Sequence, residues 1–290
     1  MAGRAANRMA MLVAIFILCP WVAMGQSKRP TGKPLPIKHS RSVPKGYTLV
    51  WNDEFEGKEL DLSKWEYRYP GERDGAVISK DAVSLDGKGN LLLTTTIKDG
   101  KPSTGMVGTQ KTFQKAFGYF EARIRFERAQ GQHGAFWLQS ANYGKVIDDP
   151  AACGAEIDIV EFFGSGRPDG GVSCTVFWNP YPNPKKATQK IDVIGPLNSS
   201  SQPGRPRSEI CDDFHLFSLL WTKEGYQFFI DGAGVYGTAE GLSQCEQYIV
   251  LSVLSSEWER SKLDPMTLPD SMTVDYVRVY DRIKPDKKRP

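Results

Sequence analysis

The stretch Glu156-Ile157-Asp158-Ile159-Val160-Glu161 sets three carboxylates into an apolar, strand-like run. Three acids this close repel one another and resist burial, so the arrangement needs a reason. A β-strand sends alternate side chains to opposite faces, which puts Glu156 and Asp158 on the same side. Glu161 follows at an odd offset and belongs on the other side of a regular strand. One extra residue at Ile159-Val160, a β-bulge, brings it back to the first face. Strand rise places Glu156 and Glu161 roughly 13 Å apart at Cα. Two glutamates leaning inward close that gap to about 5 Å, the carboxyl separation of retaining glycosidases. A solvated face carrying ordinary acids is the bland alternative. The neighbours Gly154-Ala155 and Phe162-Phe163-Gly164 oppose it, because they mark a central strand, where such acids are uncommon.

Outward from this run the pattern is short strands separated by Gly, Asp, Asn and Pro turns. Leu91 to Ile97 is β-rich and follows the turn Asp86-Gly87-Lys88-Gly89-Asn90. Phe117 to Phe126 alternates, with Phe120, Ala122, Ile124 and Phe126 on one side. Gln227 to Ile230 runs into the Asp231-Gly232 turn, and Met272 to Tyr280 alternates again. No long segment has a 3.6-residue period. The expected fold is all-β, with two packed antiparallel sheets. Residues 179–209 hold six prolines and Ser199-Ser200-Ser201, and read as a long loop shaping one end of a cleft.

The chain's net charge of +3 is unevenly placed. Residues 1–25 carry +2, residues 26–45 carry +6 and residues 282–290 carry +4, which leaves residues 46–281 at −9. An acidic globular part argues against nucleic-acid binding and, more weakly, against a highly sulfated substrate. Arg4 and Arg8 precede the apolar stretch Met9–Trp21, and Ala23-Met24-Gly25 is a small-residue cleavage site. The reading is a signal peptide over 1–25, a basic Pro-rich linker over 26–45, one domain over 46–281 and a basic tail over 282–290. The protein is then secreted or otherwise extracytoplasmic, monomeric, and without a membrane span. Export leaves Cys153, Cys174, Cys211 and Cys245, an even number that permits two disulfides. Four cysteines allow three pairings; neighbours along the chain, Cys153 with Cys174 and Cys211 with Cys245, are favoured.

The residues resemble family 16 glycoside hydrolases, whose bulged active-site signature matches Glu156–Glu161. Further landmarks keep the family's order: Trp51-Asn52-Asp53-Glu54-Phe55 with Leu60-Asp61 and Trp65, then Phe117 to Arg123, then Gly134 to Leu138. Phe214 to Trp221, Ile230-Asp231-Gly232 and Val274 to Tyr280 complete them. The resemblance implies a concanavalin A-like β-jelly-roll sandwich with an open cleft across its concave sheet. It implies retaining endo-hydrolysis of a β-linked polysaccharide, with Glu156 as nucleophile, Glu161 as general acid/base and Asp158 between them. The bulged form resembles laminarinases, agarases and carrageenases. A β-1,3-glucan comes first, a neutral or lightly sulfated galactan second. A transglycosylase on the same site and a non-catalytic, lectin-like glycan binder are the alternatives.

Trp137 and Trp178 fall in strands expected to flank the acids, where an aromatic face can stack on a sugar ring. Trp258 lines a distal subsite or caps the core. Arg73 is a candidate contact to sugar hydroxyls. His133 stands where many laminarinases carry a tryptophan, and Phe177 where many carry a cleft histidine. His215 reads as a packed core residue. The chemistry needs no cofactor. The resemblance implies one structural Ca2+ on the convex side, with Asp275 as its side-chain ligand and Glu54 and Gly89 beside it.

Overall fold

The computed structural model describes residues 43–167, 170–181, 183–191 and 210–283. The expected signal peptide, nearly all of the linker, most of the tail and much of the Pro-rich segment lie outside the described residues. The first strands are β1 (Tyr47–Asp53), β2 (Glu66–Tyr67), β3 (Gly71–Arg73), β4 (Ala76–Ile78), β5 (Val83–Leu85), β6 (Leu91–Lys98), β7 (Lys101–Thr104), β8 (Met106–Gly108) and β9 (Gly118–Arg125). Then come β10 (His133–Gln139), β11 (Glu156–Phe162), β12 (Val172–Trp178), β13 (Lys185–Ile191), β14 (His215–Thr222), β15 (Gly225–Ile230), β16 (Ala233–Thr238), β17 (Tyr248–Leu254) and β18 (Asp270–Arg282). Two four-residue helices, α1 (Pro150–Cys153) and α2 (Glu257–Arg260), sit in the connections.

The strands form two sheets. One has seven strands in the order β13-β12-β11-β10-β17-β8-β2, and the other has eleven. Pairing is antiparallel apart from β4 with β7, which run parallel. Inward-facing residues of β10, β11 and β12 (Phe136, Leu138, Ile157, Phe162, Cys174 and Val176) meet Phe120, Ala122 and Ile124 of β9 and Phe217, Leu219 and Trp221 of β14 in one core. Burying each of the larger apolar side chains contributes roughly 1.5–3 kcal/mol. A one-residue slip of any central strand would turn that whole set outward, so the register is firmly held. Among the described residues no helix is long and apolar enough to cross a membrane.

Two expectations change. Residues 185–191 are not loop: β13 pairs with β12 along its whole length, from Val172↔Ile191 to Trp178↔Lys185. Only Ala187 and Ile191 of β13 are buried, so an edge strand dressed in polar side chains carried no apolar alternation to read. Cys153, Cys174 and Cys245 carry free thiols, so neither Cys153–Cys174 nor Cys211–Cys245 is bonded. Cys174 points into the core, where its Sγ donates to the Ile159 carbonyl at 3.1 Å. Cys153 ends α1 and donates to the Asp149 carbonyl at 3.0 Å.

Candidate active site

The bulge is present where the acids require it. On β12, Asp158 pairs with Thr175 and Glu161 with Ser173, so three steps along β11 match two on its neighbour. On β10, Phe136 pairs with Val160 and Trp137 with Asp158, which leaves Ile159 as the extra residue. Ile159 and Val160 both bury in the core, and all three acids reach the outer face.

Register then lays the floor out as a grid. One row runs Ser252, Ala135, Glu161, Ser173, Lys190 across β17 to β13. The next runs Val250, Trp137, Asp158, Thr175, Thr188, and the third runs Tyr248, Gln139, Glu156, Phe177, Lys186. Over these rows lies a cavity of about 520 Å3, lined by the three acids with Arg68, Arg73, Trp137, Phe177, Tyr181 and Trp258 among others.

Each oxygen of Glu156 has one donor: Tyr181 Oη at 2.8 Å from Oε1 and Gln139 Nε2 at 2.7 Å from Oε2. Gln139 is itself oriented, because its Oε1 accepts from Arg68 Nη2 at 2.9 Å and from Tyr248 Oη at 2.6 Å. Arg68 is buried, lies over the rings of Tyr69 and Tyr248, and also donates to Tyr248 Oη and Gln110. Burial raises the Glu156 pKa, while the Tyr181 and Gln139 hydrogen bonds and the charges of Arg73 and Arg68 oppose that rise. Asp158 is pushed well above the usual range by burial, then by Glu161 and Glu156; its Oδ2 has no hydrogen-bond partner among the described residues. Burial, then the charge of Glu156, lifts Glu161 to about 7, against a 3.3 Å hydrogen bond from Ser173 Oγ and the charge of Lys186. Three adjacent carboxyls resist ionising together, and Glu156 has the most groups that favour its anion, two hydrogen bonds and two arginine charges against one of each at Glu161.

Trp137 lines the cavity with its Nε1 donating to Ser252 Oγ at 3.1 Å. His133 is buried at the cavity's edge between the rings of Phe163 and Trp258, each 5.4 Å away. Burial, helped by the charge of Arg73, lowers its pKa to about 4, so the ring is neutral. Trp258 is 61 % exposed and stands over this edge. Trp178 does not reach the cleft. Phe177 holds the outward position on β12, and strand alternation sends Trp178 into the core, where Gly241 closes on its ring. His215 lies in the other sheet with its Nδ1 2.7 Å from Asp231 Oδ2. Sequence reasoning missed Arg68, Gln139 and Tyr181. Gln139 was within reach of it, since it follows Trp137 by two on the same strand.

The calcium expectation meets a different arrangement. Asp275 Oδ2 accepts from Arg123 Nη1 at 2.6 Å, and Glu54 is held at both oxygens by Arg278, at 2.9 and 2.8 Å. Gly89 does lie beside the Glu54 carbonyl, which a Cβ there would meet at 3.6 Å. Guanidinium groups thus sit on both of these carboxylates in this structure. Among the described residues no group of three or more His, Cys, Asp or Glu is placed to hold a metal.

A two-sheet sandwich with an acid-floored open cleft defines a class of glycan-handling folds, and the comparisons agree. The model of Glycosyl hydrolases family 16 matches residues 72–278, and the chain belongs to that family. Among curated relatives, the Glucan endo-1,3-beta-glucosidase A1 of Niallia circulans is 24% identical over 81% of this chain and 38% of its own length. The Keratan-sulfate endo-1,4-beta-galactosidase of Sphingobacterium multivorum is 24% identical over 81% of this chain and 55% of its own. The chain thus spans about half, or less, of these two relatives. The laminarinase catalytic domain of Thermotoga maritima MSB8 superposes with a TM-score of 0.66 at 21% identity, over 83% of this chain and 100% of that one. At that identity the likeness establishes the fold.

Proposed function

We propose that the chain is a retaining endo-β-glycanase that cleaves a β-linked polysaccharide by double displacement. The observation that carries this reading is the bulged strand β11, which presents Glu156, Asp158 and Glu161 together on the floor of an open cleft. Glu156, the acid whose anion is best supported, attacks the anomeric carbon. Glu161 gives its proton to the glycosidic oxygen, the C–O bond breaks toward that oxygen, and a glycosyl ester forms on Glu156. Glu161, now a carboxylate, takes a proton from water as the water oxygen attacks the same carbon. Glu156 leaves and Glu161 regains its proton, so the anomeric configuration is retained. Asp158, between them and reluctant to ionise, holds a proton close to Glu156 and keeps the cluster's charge low.

A β-1,3-glucan is the first substrate, in line with the curated relative named for that linkage and the fold shared with a laminarinase. A galactan is the second, in line with the relative named for keratan sulfate. The protein acts outside the cytoplasm, in keeping with its leader-like first 25 residues. Reducing-end release from laminarin, mixed-linkage glucan, agarose, porphyran and κ-carrageenan, beside Glu156→Gln, tests the reading. Activity on one polymer that the substitution abolishes, with the β-anomer formed first by NMR, supports it. Binding without cleavage in the wild type replaces it with the lectin-like alternative.

A further inference from the structure

The row Glu156, Gln139, Tyr248 ends on a buried cation. Arg68 directly follows β2, the far edge of the seven-stranded sheet, and its backbone N–H donates to the Met106 carbonyl at 3.0 Å. Its guanidinium reaches back to β17 and β10: Nη2 donates to Tyr248 Oη at 2.6 Å and to Gln139 Oε1 at 2.9 Å, while Nη1 donates to Gln110 Oε1 at 2.9 Å. Every oxygen it touches is neutral, and among the described residues no carboxylate pairs with it. A buried charge without a counter-ion is costly, and an arginine does not shed its proton. Along the hydrogen bonds the nearest anion is Glu156, one amide away, because Gln139 Nε2 donates to Glu156 Oε2 at 2.7 Å. Arginine only donates, so its contact turns the Gln139 oxygen toward itself and the amide nitrogen toward Glu156. The same contact makes Tyr248 Oη an acceptor from Arg68 and a donor to Gln139 Oε1 at 2.6 Å. Without Arg68, no donor-only group holds the amide, and either end of Gln139 can face the carboxylate. The other cation near Glu156, Arg73, is half-exposed and lies 3.7 Å from Asp74, so solvent and that acid screen it. The titratable groups facing Glu156 are Asp158 and Glu161 on its own strand and Tyr143, Tyr181 and Tyr248 around it; Lys186 of β13 bears on Glu161.

We propose that Arg68 is the positioning residue of the nucleophile: it fixes Gln139 with its amide nitrogen on Glu156 and supplies the buried positive charge that balances the carboxylate. The inference rests on the reading of Glu156 as nucleophile. The interposed amide has a chemical reason. A guanidinium clamped directly on Glu156 would occupy both oxygens at once. Gln139 and Tyr181 instead give one donor to each oxygen, which leaves each a lone pair for attack.

The test follows the ionisation of Glu156 directly, by 13C NMR of protein labelled at the glutamate carboxyls, with its signal assigned by absence from Glu156→Gln. Wild type runs beside Arg68→Met, Gln139→Leu and the double variant, each checked for a cooperative thermal transition. In parallel, kcat/KM is measured against pH on whichever polymer wild type cleaves. Arg68→Met should raise the apparent pKa of Glu156, and with it the acidic limb of the profile, by at least the one to two units expected of Gln139→Leu, about the worth of a hydrogen bond to a charged group. In the double variant Gln139→Leu should add only about a few tenths of a unit, because the amide has already lost its orientation. A Glu156 titration that Arg68→Met leaves in place, or a Gln139→Leu shift as large without Arg68 as with it, overturns the proposal. Should Arg68→Met not fold, the wild-type amide decides. Its Gln139 side-chain NH2 signals, assigned by absence from Gln139→Leu, should move with the ionisation of Glu156, and signals that ignore it overturn the proposal. Titrations that move as expected in a protein that cleaves no polymer overturn the glycanase reading and leave the hold of Arg68 on Glu156 standing.

Discussion

Replacing Tyr181 by phenylalanine tests how the proposed nucleophile keeps its charge. The Tyr181 hydroxyl donates to Glu156 Oε1 at 2.8 Å, while the residue is 58 % exposed. Phenylalanine therefore removes one hydrogen bond with little loss of packing. A hydrogen bond to a charged group is worth about 1.5–3 kcal/mol, and solvent at the exposed hydroxyl sets the lower end. At about 1.36 kcal/mol per unit, that corresponds to about one pKa unit. The bond favours the ionised carboxyl, so its loss raises the Glu156 pKa. Attack needs the anion, so the acidic limb of kcat/KM against pH moves up by about one unit. Gln139→Leu removes the 2.7 Å bond to Oε2 from a more enclosed donor and should move the same limb by one to two units. The profile is measured from about pH 4 to pH 9 on whichever polymer wild type cleaves. An acidic limb that stays within a few tenths of a unit in both variants would refute the idea that these donors set the ionisation of Glu156.

Three further outcomes are expected. Ser173→Ala deletes a hydrogen bond that favours ionised Glu161, so the basic limb, near pH 7 in wild type, should shift upward, as a pH–rate profile reads directly. Glu127 is buried, neither of its oxygens is paired among the described residues, and burial lifts its pKa to about 8. Native protein then holds a proton that the unfolded chain has lost, and stability falls as pH rises from the ordinary carboxyl pKa toward 8. Glu127→Gln removes that slope, so its Tm advantage over wild type should grow between about pH 5 and pH 8; a constant difference would contradict the assignment. Trp178→Ala should cost about 3–5 kcal/mol in denaturant unfolding, whereas Trp258→Ala should leave stability within about 0.5 kcal/mol and raise KM. Equal effects of the two substitutions would contradict their placement.

The sequence alone determined whatever depends on local parity. Alternation in Phe117–Phe126 named the core face of β9, where Phe120, Ala122 and Ile124 are fully buried. The odd spacing of Glu161 demanded a bulge, and pairing on both sides of β11 has one. These features follow from backbone geometry with a period of two, which every residue carries wherever its strand lies. Only the tertiary structure decided matters that turn on which strand lies beside which. Trp178 is a candidate cleft aromatic by sequence, but the pairing of Glu156 with Phe177 fixes the parity of β12 and turns the tryptophan inward. Arg68 stands 71 residues from Gln139 and 180 from Tyr248, so nothing local hints that the three close a network behind Glu156. Strand β13 hid among prolines and lysines because an edge strand buries little, and its hydrogen bonds to β12 stabilise it in place of an apolar stripe. The four cysteines illustrate the same limit: their number permitted two bonds, but the packing of β12 and α1 gave Cys174 and Cys153 backbone partners of their own.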